Sequence, residues 1–230
     1  AELNARAAAL EQAARQRVAP QPAVNAGPDP EQQVVEAIDL VFVIDTTASM
    51  TPVIRELAVS MRSIVRILQR LVPSVRIGIS AYKDRDTGLP PVITFPLTPT
   101  DPFLPRIVGF VESLEASPIG SRTLEEDVHL GLEAATLMRW RPDTRQVLVV
   151  IGDAEAHPEY MNETFWRARN FVQGHELRTL STLFVTTPSS LSAGQRARPF
   201  FQALATAGNG SFNDHTGSMV ESVLLSVLVD

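Results

Sequence analysis

Apolar and polar positions along the chain predict a repeated succession of strands and helices. Short apolar runs and alternating patterns, several rich in β-branched residues, predict strands over 39–44, 75–82, 92–97, 146–152, 177–186 and 210–212. Apolar residues at helical spacing predict helices over 51–72, 101–114, 124–140, 159–173, 194–207 and 216–229. Because strands and helices alternate, we predict an α/β fold with a doubly wound, mostly parallel central sheet, helices on both faces and one short antiparallel edge strand.

Residues 1–36 depart from this pattern and predict a segment outside the folded domain. Positions 4–17 are rich in alanine, which favours a helix, and prolines then interrupt regular structure at Pro20, Pro22, Pro28 and Pro30. We interpret 1–36 as a helical spacer and Pro-rich linker, partly disordered, with a fully disordered tail as the alternative. The folded domain then spans 37–230. Since the sequence begins at Ala1, we expect a processed protein or a piece of a longer one.

Composition narrows the possible functions. Hydrophobic residues make up 44% of the chain and charged residues 20%, which is ordinary for a globular protein. The net charge of -6 argues against nucleic acid as a partner, and the absence of cysteine excludes disulfides, thiolate metal sites and cysteine nucleophiles. The longest apolar runs are far shorter than the roughly 20 residues that cross a bilayer, so we expect no membrane insertion.

The residues that follow the predicted strands carry the candidate chemistry, because ligands of such sheets bind beyond the carboxyl ends of the strands. Asp45, Thr47 and Ser49 place an acid and two hydroxyls on alternate residues after the first strand. Thr123 adds a hydroxyl on a loop that enters a helix, and Asp153 follows the strand over 146–152. Ligands made only of oxygen suit a hard cation, so we predict one divalent cation, Mg²⁺ first, with Mn²⁺ or Ca²⁺ as alternatives.

The stretch Asp45-Thr46-Thr47-Ala48-Ser49-Met50 resembles the D-x-S/T-x-S motif of von Willebrand factor type A (VWA) domains, which is the first part of their metal ion-dependent adhesion site (MIDAS). The resemblance covers about residues 37–230. GSRTLEEDVHLGLEAA at 120–135 and VLVVIGDAEAHP at 147–158 are similar to the hemicentin-type, alpha-kinase-associated branch, with its bacterial members. Two positions depart from the pattern: Gly152-Asp153 replaces the more usual Asp-Gly order, and Thr47 stands where many members have serine.

This resemblance implies a role for each residue of the predicted site and a Rossmann-like VWA fold around it. Thr47 and Ser49 would bind the cation through their hydroxyls, and Thr123 would be the ligand from the second loop. Asp45 and Asp153 would lie close to the cation and act through bound water. A Glu or Asp of a protein partner would complete the coordination, since few protein charges fall on the cation.

The second loop has an alternative assignment. In this branch an acidic residue often occupies the position of Thr123, so Thr123 could instead be a helix N-cap with Glu126 as its capping-box partner. We interpret Glu125, Glu126 and Asp127 as a solvated first helical turn that the helix dipole favours, with one of them reaching the cation as the lesser alternative.

A few other residues are candidates for contacts or packing. His157 closely follows Asp153, and Asp84 lies in a charged loop after a strand; we predict both as contacts to the partner, with a solvated charged loop as the alternative for 83–86. His129 is expected on the surface of a helix. Trp140 and Trp166 are expected as packing anchors.

We therefore predict a binding module, not an enzyme, whose cation binds a carboxylate of a protein partner. One alternative is an extracytoplasmic sensory or regulatory domain of a larger bacterial protein, such as a type VI secretion-associated Ser/Thr kinase, and a periplasmic or extracellular location is favoured. A metal-dependent hydrolase is less favoured, because the sequence has no HExxH, no GxSxG and no P-loop. The oligomeric state is left open.

Overall fold

A computed structural model describes residues 36–117, 123–192 and 196–228. The chain divides into two units, Ala1–Val34 and Val35–Asp230, and every described residue belongs to the second unit. The predicted helical spacer and linker lie outside the described residues, as does the predicted loop over 120–122. The domain boundary at residue 37 therefore stays a prediction.

Six strands form a single sheet. They are β1 (Ala37–Asp45), β2 (Ser74–Tyr82), β3 (Val92–Pro99), β4 (Arg145–Gly152), β5 (Arg178–Phe184) and β6 (Asn209–Asp214). Their spatial order is β3-β2-β1-β4-β5-β6, and all neighbours run parallel except β2 and β3, which pair antiparallel at one edge. The predicted α/β sheet is thus confirmed, with β3 as its antiparallel edge strand.

Helices cover both faces of this sheet. In chain order they are α1 (Thr51–Leu71), α2 (Thr100–Glu112), α3 (Val128–Thr136), α4 (Met161–Val172), the short α5 (Pro188–Ser192), α6 (Ala197–Ala207) and α7 (Met219–Leu228). Helices α1, α2 and α7 contribute to the core on one face, and α3, α4 and α6 contribute to the core on the other. This two-sided cover is what a parallel sheet requires, because neither of its faces can be left in water.

The central strand β1 shows how the sequence produces this layering. Leu40, Phe42 and Ile44 belong to the core beneath α1, while Val41 and Val43 belong to the core beneath α3. Successive side chains of a strand point to opposite faces, so an unbroken apolar run buries both faces at once. The apolar run at 39–44 was therefore enough to predict a strand here.

The start of α3 differs from the predicted helix over 124–140. The N–H of Glu126 donates a hydrogen bond of 2.9 Å to the carbonyl of Glu155, and Glu126 forms an isolated parallel bridge with Ala156. This pairing draws the residues before Val128 into extended contact with the loop after β4, so the helix begins only at Val128.

The two tryptophans have different environments. Trp140 packs against Phe171 with ring centroids 5.2 Å apart, which confirms its expected packing role. Trp166 is 57% exposed, so its expected role as a packing anchor is wrong. It lies on α4, whose buried residues fall on the opposite side of the helix. Helical spacing alone did not show which side of this helix faces water.

The connections of the sheet reverse direction between β1 and β4. From β1 the chain moves outward to β2 and β3, whereas from β4 it moves outward to β5 and β6 on the other side. In open α/β sheets the ligand crevice lies at this reversal, beyond the carboxyl ends of the strands. The carboxyl ends of β1 and β4 are Asp45 and Gly152, directly before Asp153. Within the described ranges, the helices are all too short or too polar to cross a membrane.

Candidate functional site

The loop after β1 holds its first acid by local hydrogen bonds. Asp45 is fully buried, and its Oδ1 accepts hydrogen bonds from the N–H of Thr47 at 2.8 Å and the Oγ1 hydroxyl of Thr47 at 2.6 Å. Thr47 Oγ1 lies 3.4 Å from Ser49 Oγ. The spacing D-x-T-x-S therefore brings one carboxylate and two hydroxyls together within a single turn, as the sequence predicts.

The loop after β4 holds the second acid through a residue that the sequence analysis did not identify. Asp153 is buried, and its Oδ2 accepts a hydrogen bond from the hydroxyl of Thr187, which follows β5. The backbone N–H of Ser190 donates to Thr187 Oγ1 at 3.2 Å, and so this hydroxyl is fixed as the donor to Asp153. A fourth loop thus sets the rotamer of Asp153.

Glu126 brings a third carboxylate to the same place. Its side chain is buried, and its backbone is fixed by the bridge to Ala156 described above. Burial, followed by the negative charges of Asp45, Asp84 and Asp153, raises the pKa of Glu126 to about 11. Glu126 is therefore close enough to both predicted site acids to feel their charge.

Each of these three carboxylates has one oxygen without a hydrogen-bond partner among the described residues. The three atoms are buried and are Asp45 Oδ2, Glu126 Oε2 and Asp153 Oδ1. Burial and the neighbouring charge of Asp153 raise the pKa of Asp45 to about 8. Unpaired buried anions are costly unless they are neutralised or coordinate a metal. The cluster therefore has to take up either protons or a cation.

A tyrosine hydroxyl lies near the acid cluster. Tyr82, at the carboxyl end of β2, is fully buried, and its hydroxyl has no hydrogen-bond partner in the described part of the chain. Gly152 makes room for it, because a Cβ there would lie 3.1 Å from the Tyr82 hydroxyl and 3.3 Å from the Cβ of Asp45. Burial and the charges of Asp45 and Glu126 raise the pKa of Tyr82 well above its usual value, so it stays a neutral phenol.

A second group of polar residues lines a pocket of about 350 Å³ beside the cluster. His157 Nε2 lies 2.8 Å from Asp84 Oδ1. Asp127 accepts three hydrogen bonds from Arg85, one from its N–H and two from its guanidinium. One ligand atom from each of Asp84, Asp127 and His157 lies within 4.8 Å of the others, so the three residues could hold a metal ion.

The structure brings four of the predicted site residues together and leaves the fifth, Thr123, apart from them. It brings Thr47 and Ser49 together on the loop of Asp45, and it places Asp45 and Asp153 close enough to share charge. Thr123 is exposed at the pocket, where its hydroxyl donates to the carbonyl of Glu125 at 3.3 Å. Its role as a ligand stays a prediction.

Two interpretations made from sequence are wrong. Glu126 and Asp127 do not form a solvated helical turn, because both are buried and precede α3. His129 is not on the surface but is 3% exposed and stacks on Tyr160 with ring centroids 4.1 Å apart. These side chains are buried because Glu126 pairs with the loop after β4 and Asp127 pairs with Arg85 of the loop after β2.

Comparison with known proteins finds one similar stretch of sequence and several similar folds. No family model matches the chain. A stretch of 125 residues, 53% of this chain, is 28% identical to part of the alpha-protein kinase vwkA of Dictyostelium discoideum and spans 19% of that kinase. The chain thus covers about a fifth of the length of that relative, and the match shows a shared region only.

Solved structures share the fold at low sequence identity. BatB, a conserved hypothetical protein of Bacteroides thetaiotaomicron, superposes with a TM-score of 0.57 at 15% identity, covering 83% of this chain and 96% of BatB. The pilus adhesin SpaC of Lactobacillus rhamnosus GG gives 0.61 at 12% identity, covering 84% of this chain and 30% of the adhesin. Proximal thread matrix protein 1 of the mussel byssus gives 0.53 at 16% identity, covering 85% and 46%.

The sheet order, the position of the acids at the reversal of the sheet and these neighbours agree with the motif in the loop after β1. The chain therefore has a VWA-like fold.

Proposed function

We propose that this domain is a protein-interaction module that binds a carboxylate of its partner through one divalent cation, Mg²⁺ in the first place. The cation would be held by Asp45, Thr47, Ser49 and Asp153, with one further oxygen from the second loop. The observation that carries this proposal is the set of buried carboxylate oxygens that lack a hydrogen-bond partner among the described residues. The adhesin and matrix proteins among the structural neighbours support binding rather than catalysis.

The chain orients its own oxygens for this role. Thr47 occupies Oδ1 of Asp45, and Thr187 occupies Oδ2 of Asp153, so each acid has its other oxygen left over. The hydroxyls of Thr47 and Ser49 add oxygen without adding charge. A bound cation would keep part of its positive charge and supply a Lewis acid for an incoming anionic oxygen.

A titration of the domain with Mg²⁺ and Mn²⁺ by calorimetry tests the cation. Asp45→Ala should lower affinity for both ions at least tenfold, because it removes an acid at the centre of the cluster. Asp143→Ala is the matched control, since this exposed acid precedes β4, at the opposite end of that strand from Asp153. Equal affinity in wild type and Asp45→Ala, with both folded by circular dichroism, would overturn the proposed site.

Selection from a random peptide display library, carried out in Mg²⁺, tests the partner chemistry. Selected peptides should contain an essential Asp or Glu, and both chelation by EDTA and replacement of that residue by Asn or Gln should abolish binding. Peptides that bind equally well in EDTA would contradict a metal-bridged contact.

The identity of the second-loop oxygen calls for its own pair of variants. Burial and the unpartnered Oε2 support Glu126, whereas the resemblance to VWA domains supports Thr123. Glu126→Gln should weaken Mn²⁺ binding if the carboxylate is the ligand, and Thr123→Ala should do so if the hydroxyl is. The two also differ in charge, since a threonine leaves more positive charge on the cation for the partner's acid.

A second candidate function is a regulatory domain joined to a kinase. The match to part of a named alpha-protein kinase favours it, because the matched stretch is a small fraction of that protein. Kinase activity that changes when the fused domain is given Mg²⁺ and a selected acidic peptide would support this function. No change would leave the domain as a binding module alone.

A further inference from the structure

We propose that Asp84, Asp127 and His157 form a second metal site, separate from the acid cluster, that takes a borderline-soft divalent ion such as Zn²⁺. The sequence predicted Asp84 and His157 as contacts to a partner, and did not connect either of them with Asp127. This proposal goes beyond the carboxylate-binding function and does not depend on it.

The three side chains are already close to the spacing of metal ligands. His157 Nε2 and Asp84 Oδ1 are 2.8 Å apart, and all three ligand atoms lie within 4.8 Å of one another. Bond lengths of about 2.0–2.2 Å from zinc to nitrogen or oxygen place neighbouring ligand atoms roughly 3 Å apart. The residues line an open pocket of about 350 Å³, so an ion and its remaining waters have access from solvent.

Arg85 holds Asp127 in place but does not fill all of its hydrogen-bond acceptor positions. Three N–H groups of Arg85 donate to Asp127, while a carboxylate offers about four lone-pair positions. The guanidinium therefore orients the carboxylate and leaves it able to accept a further bond, and Asp127 lines the pocket. Arg85 itself is held over the ring of Tyr160, with its Cζ 4.7 Å from the ring centroid.

An independent observation points to the same place. His129 is 3% exposed, and its Nδ1 has no hydrogen-bond partner within the described ranges. This nitrogen lies 3.7 Å from Oδ1 of Asp127. A buried imidazole nitrogen of this kind needs a partner. The nitrogen therefore lies next to the carboxylate that would bind the proposed ion.

The charge around the pocket favours a cation as well. Asp84 and Asp127 are 2% and 1% exposed, and a carboxylate oxygen of each lies within 4.8 Å of the other. Arg85 offsets one of these buried negative charges. An imidazole nitrogen among the ligands favours Zn²⁺ or Co²⁺ over Mg²⁺, which prefers oxygen and keeps its waters. The two sites should therefore differ in the metal that they select.

Titration of the folded chain with Co²⁺, followed by its visible absorption and by displacement with Zn²⁺, tests the second site. His157→Ala and Asp84→Asn should each weaken Co²⁺ binding about tenfold or more, and Asp45→Ala should leave it unchanged. His175→Ala is the matched control, because His175 is exposed and its ring is outside the pocket.

The outcomes separate this proposal from the proposed function. Co²⁺ affinity of His157→Ala within twofold of wild type would overturn the second site. Loss of Co²⁺ binding in Asp45→Ala would also overturn it, since it would show that one site explains both ions. Weak Mg²⁺ binding together with Co²⁺ binding that depends on His157 would instead count against the acid cluster and leave the second site intact.

Discussion

The two ends of β1 each carry a buried aspartate, and the protein treats them in opposite ways. Asp39, near the amino end, is paired with Arg76 and Arg141, and its Oδ2 also accepts a hydrogen bond of 2.8 Å from the N–H of Arg141. Burial alone would raise the pKa of Asp39, but hydrogen bonds from the two arginines outweigh it and hold the pKa below its usual value. At the other end, burial and Asp153 raise the pKa of Asp45 to about 8.

This difference separates an acid that is neutralised within the chain from the acid of the proposed cation site. Asp39 receives its countercharge from within the chain. Its ion pairs link β1 to β2 through Arg76 and to the segment before β4 through Arg141. Asp45 receives only hydrogen bonds from Thr47, so its charge has to be neutralised by a proton or by a bound ion. The same residue type on the same strand thus serves stability at one end and, as we propose, cation binding at the other.

The largest expected effect is the loss of Asp39. Asp39→Ala leaves two guanidinium groups at a buried edge without their shared carboxylate, which should lower the free energy of unfolding by about 3 kcal/mol. Urea unfolding of wild type and variant measures it, with Asp143→Ala as the control. A loss under about 1 kcal/mol would show that water replaces the carboxylate at this edge.

The next effect has the opposite sign. Asp45→Asn should stabilise the metal-free domain at pH 7, on the order of 2 kcal/mol, because a carboxyl with a pKa of about 8 has to take up a proton on folding and an amide does not. The amide oxygen can still accept the two hydrogen bonds from Thr47. Thermal unfolding in EDTA measures the change. The same variant should lose the stabilisation that Mg²⁺ gives to wild type. Destabilisation in EDTA would contradict the contrast with Asp39.

A smaller effect is expected one step away from the cluster. Thr187→Val removes the hydroxyl that orients Asp153, and should weaken Mn²⁺ binding about tenfold without unfolding the domain. Thr187→Ser keeps the hydroxyl and should restore affinity. Calorimetry of the two variants separates the hydrogen bond from packing, because serine lacks the methyl group that valine retains.

The smallest effect is the pH dependence that Asp39 contributes. Its folded-state pKa is lowered below the usual 3.8, so its ion pairs stabilise the fold fully above that value. This stability should be lost as the pH falls through the folded-state pKa. The difference in unfolding free energy between wild type and Asp39→Asn should therefore be constant above about pH 5 and narrow below about pH 4. A constant difference down to pH 2 would contradict the lowered pKa.

Much of the fold followed from short-range patterns. The apolar run of β1, the alternation in β2 and the helical spacing of α1 each depend on residues a few positions apart, and the predicted strands agree with the observed ones to within a few residues. The loop after β1 could be predicted for the same reason, since Asp45, Thr47 and Ser49 meet within one turn. Residues close in sequence were enough to predict this loop of the candidate site.

The rest of the site depends on distant parts of the chain. Glu126 is directed by a bridge to Ala156, and Asp153 is oriented by Thr187, 34 residues away. No fixed spacing in the sequence predicts these two contacts. Asp84, Asp127 and His157 likewise come from separate loops, and only their burial and mutual distances distinguish them from solvated charges.

The sequence by itself determined the order of strands and helices along the chain, the burial of β1 and the acid-hydroxyl turn at its carboxyl end, because periodicity and tight turns are local properties. Only the tertiary structure decided which acids are buried together and which have a countercharge. That outcome depends on loops that meet beyond the sheet, where desolvation and long-range charge, rather than residue type, set the state of each carboxylate.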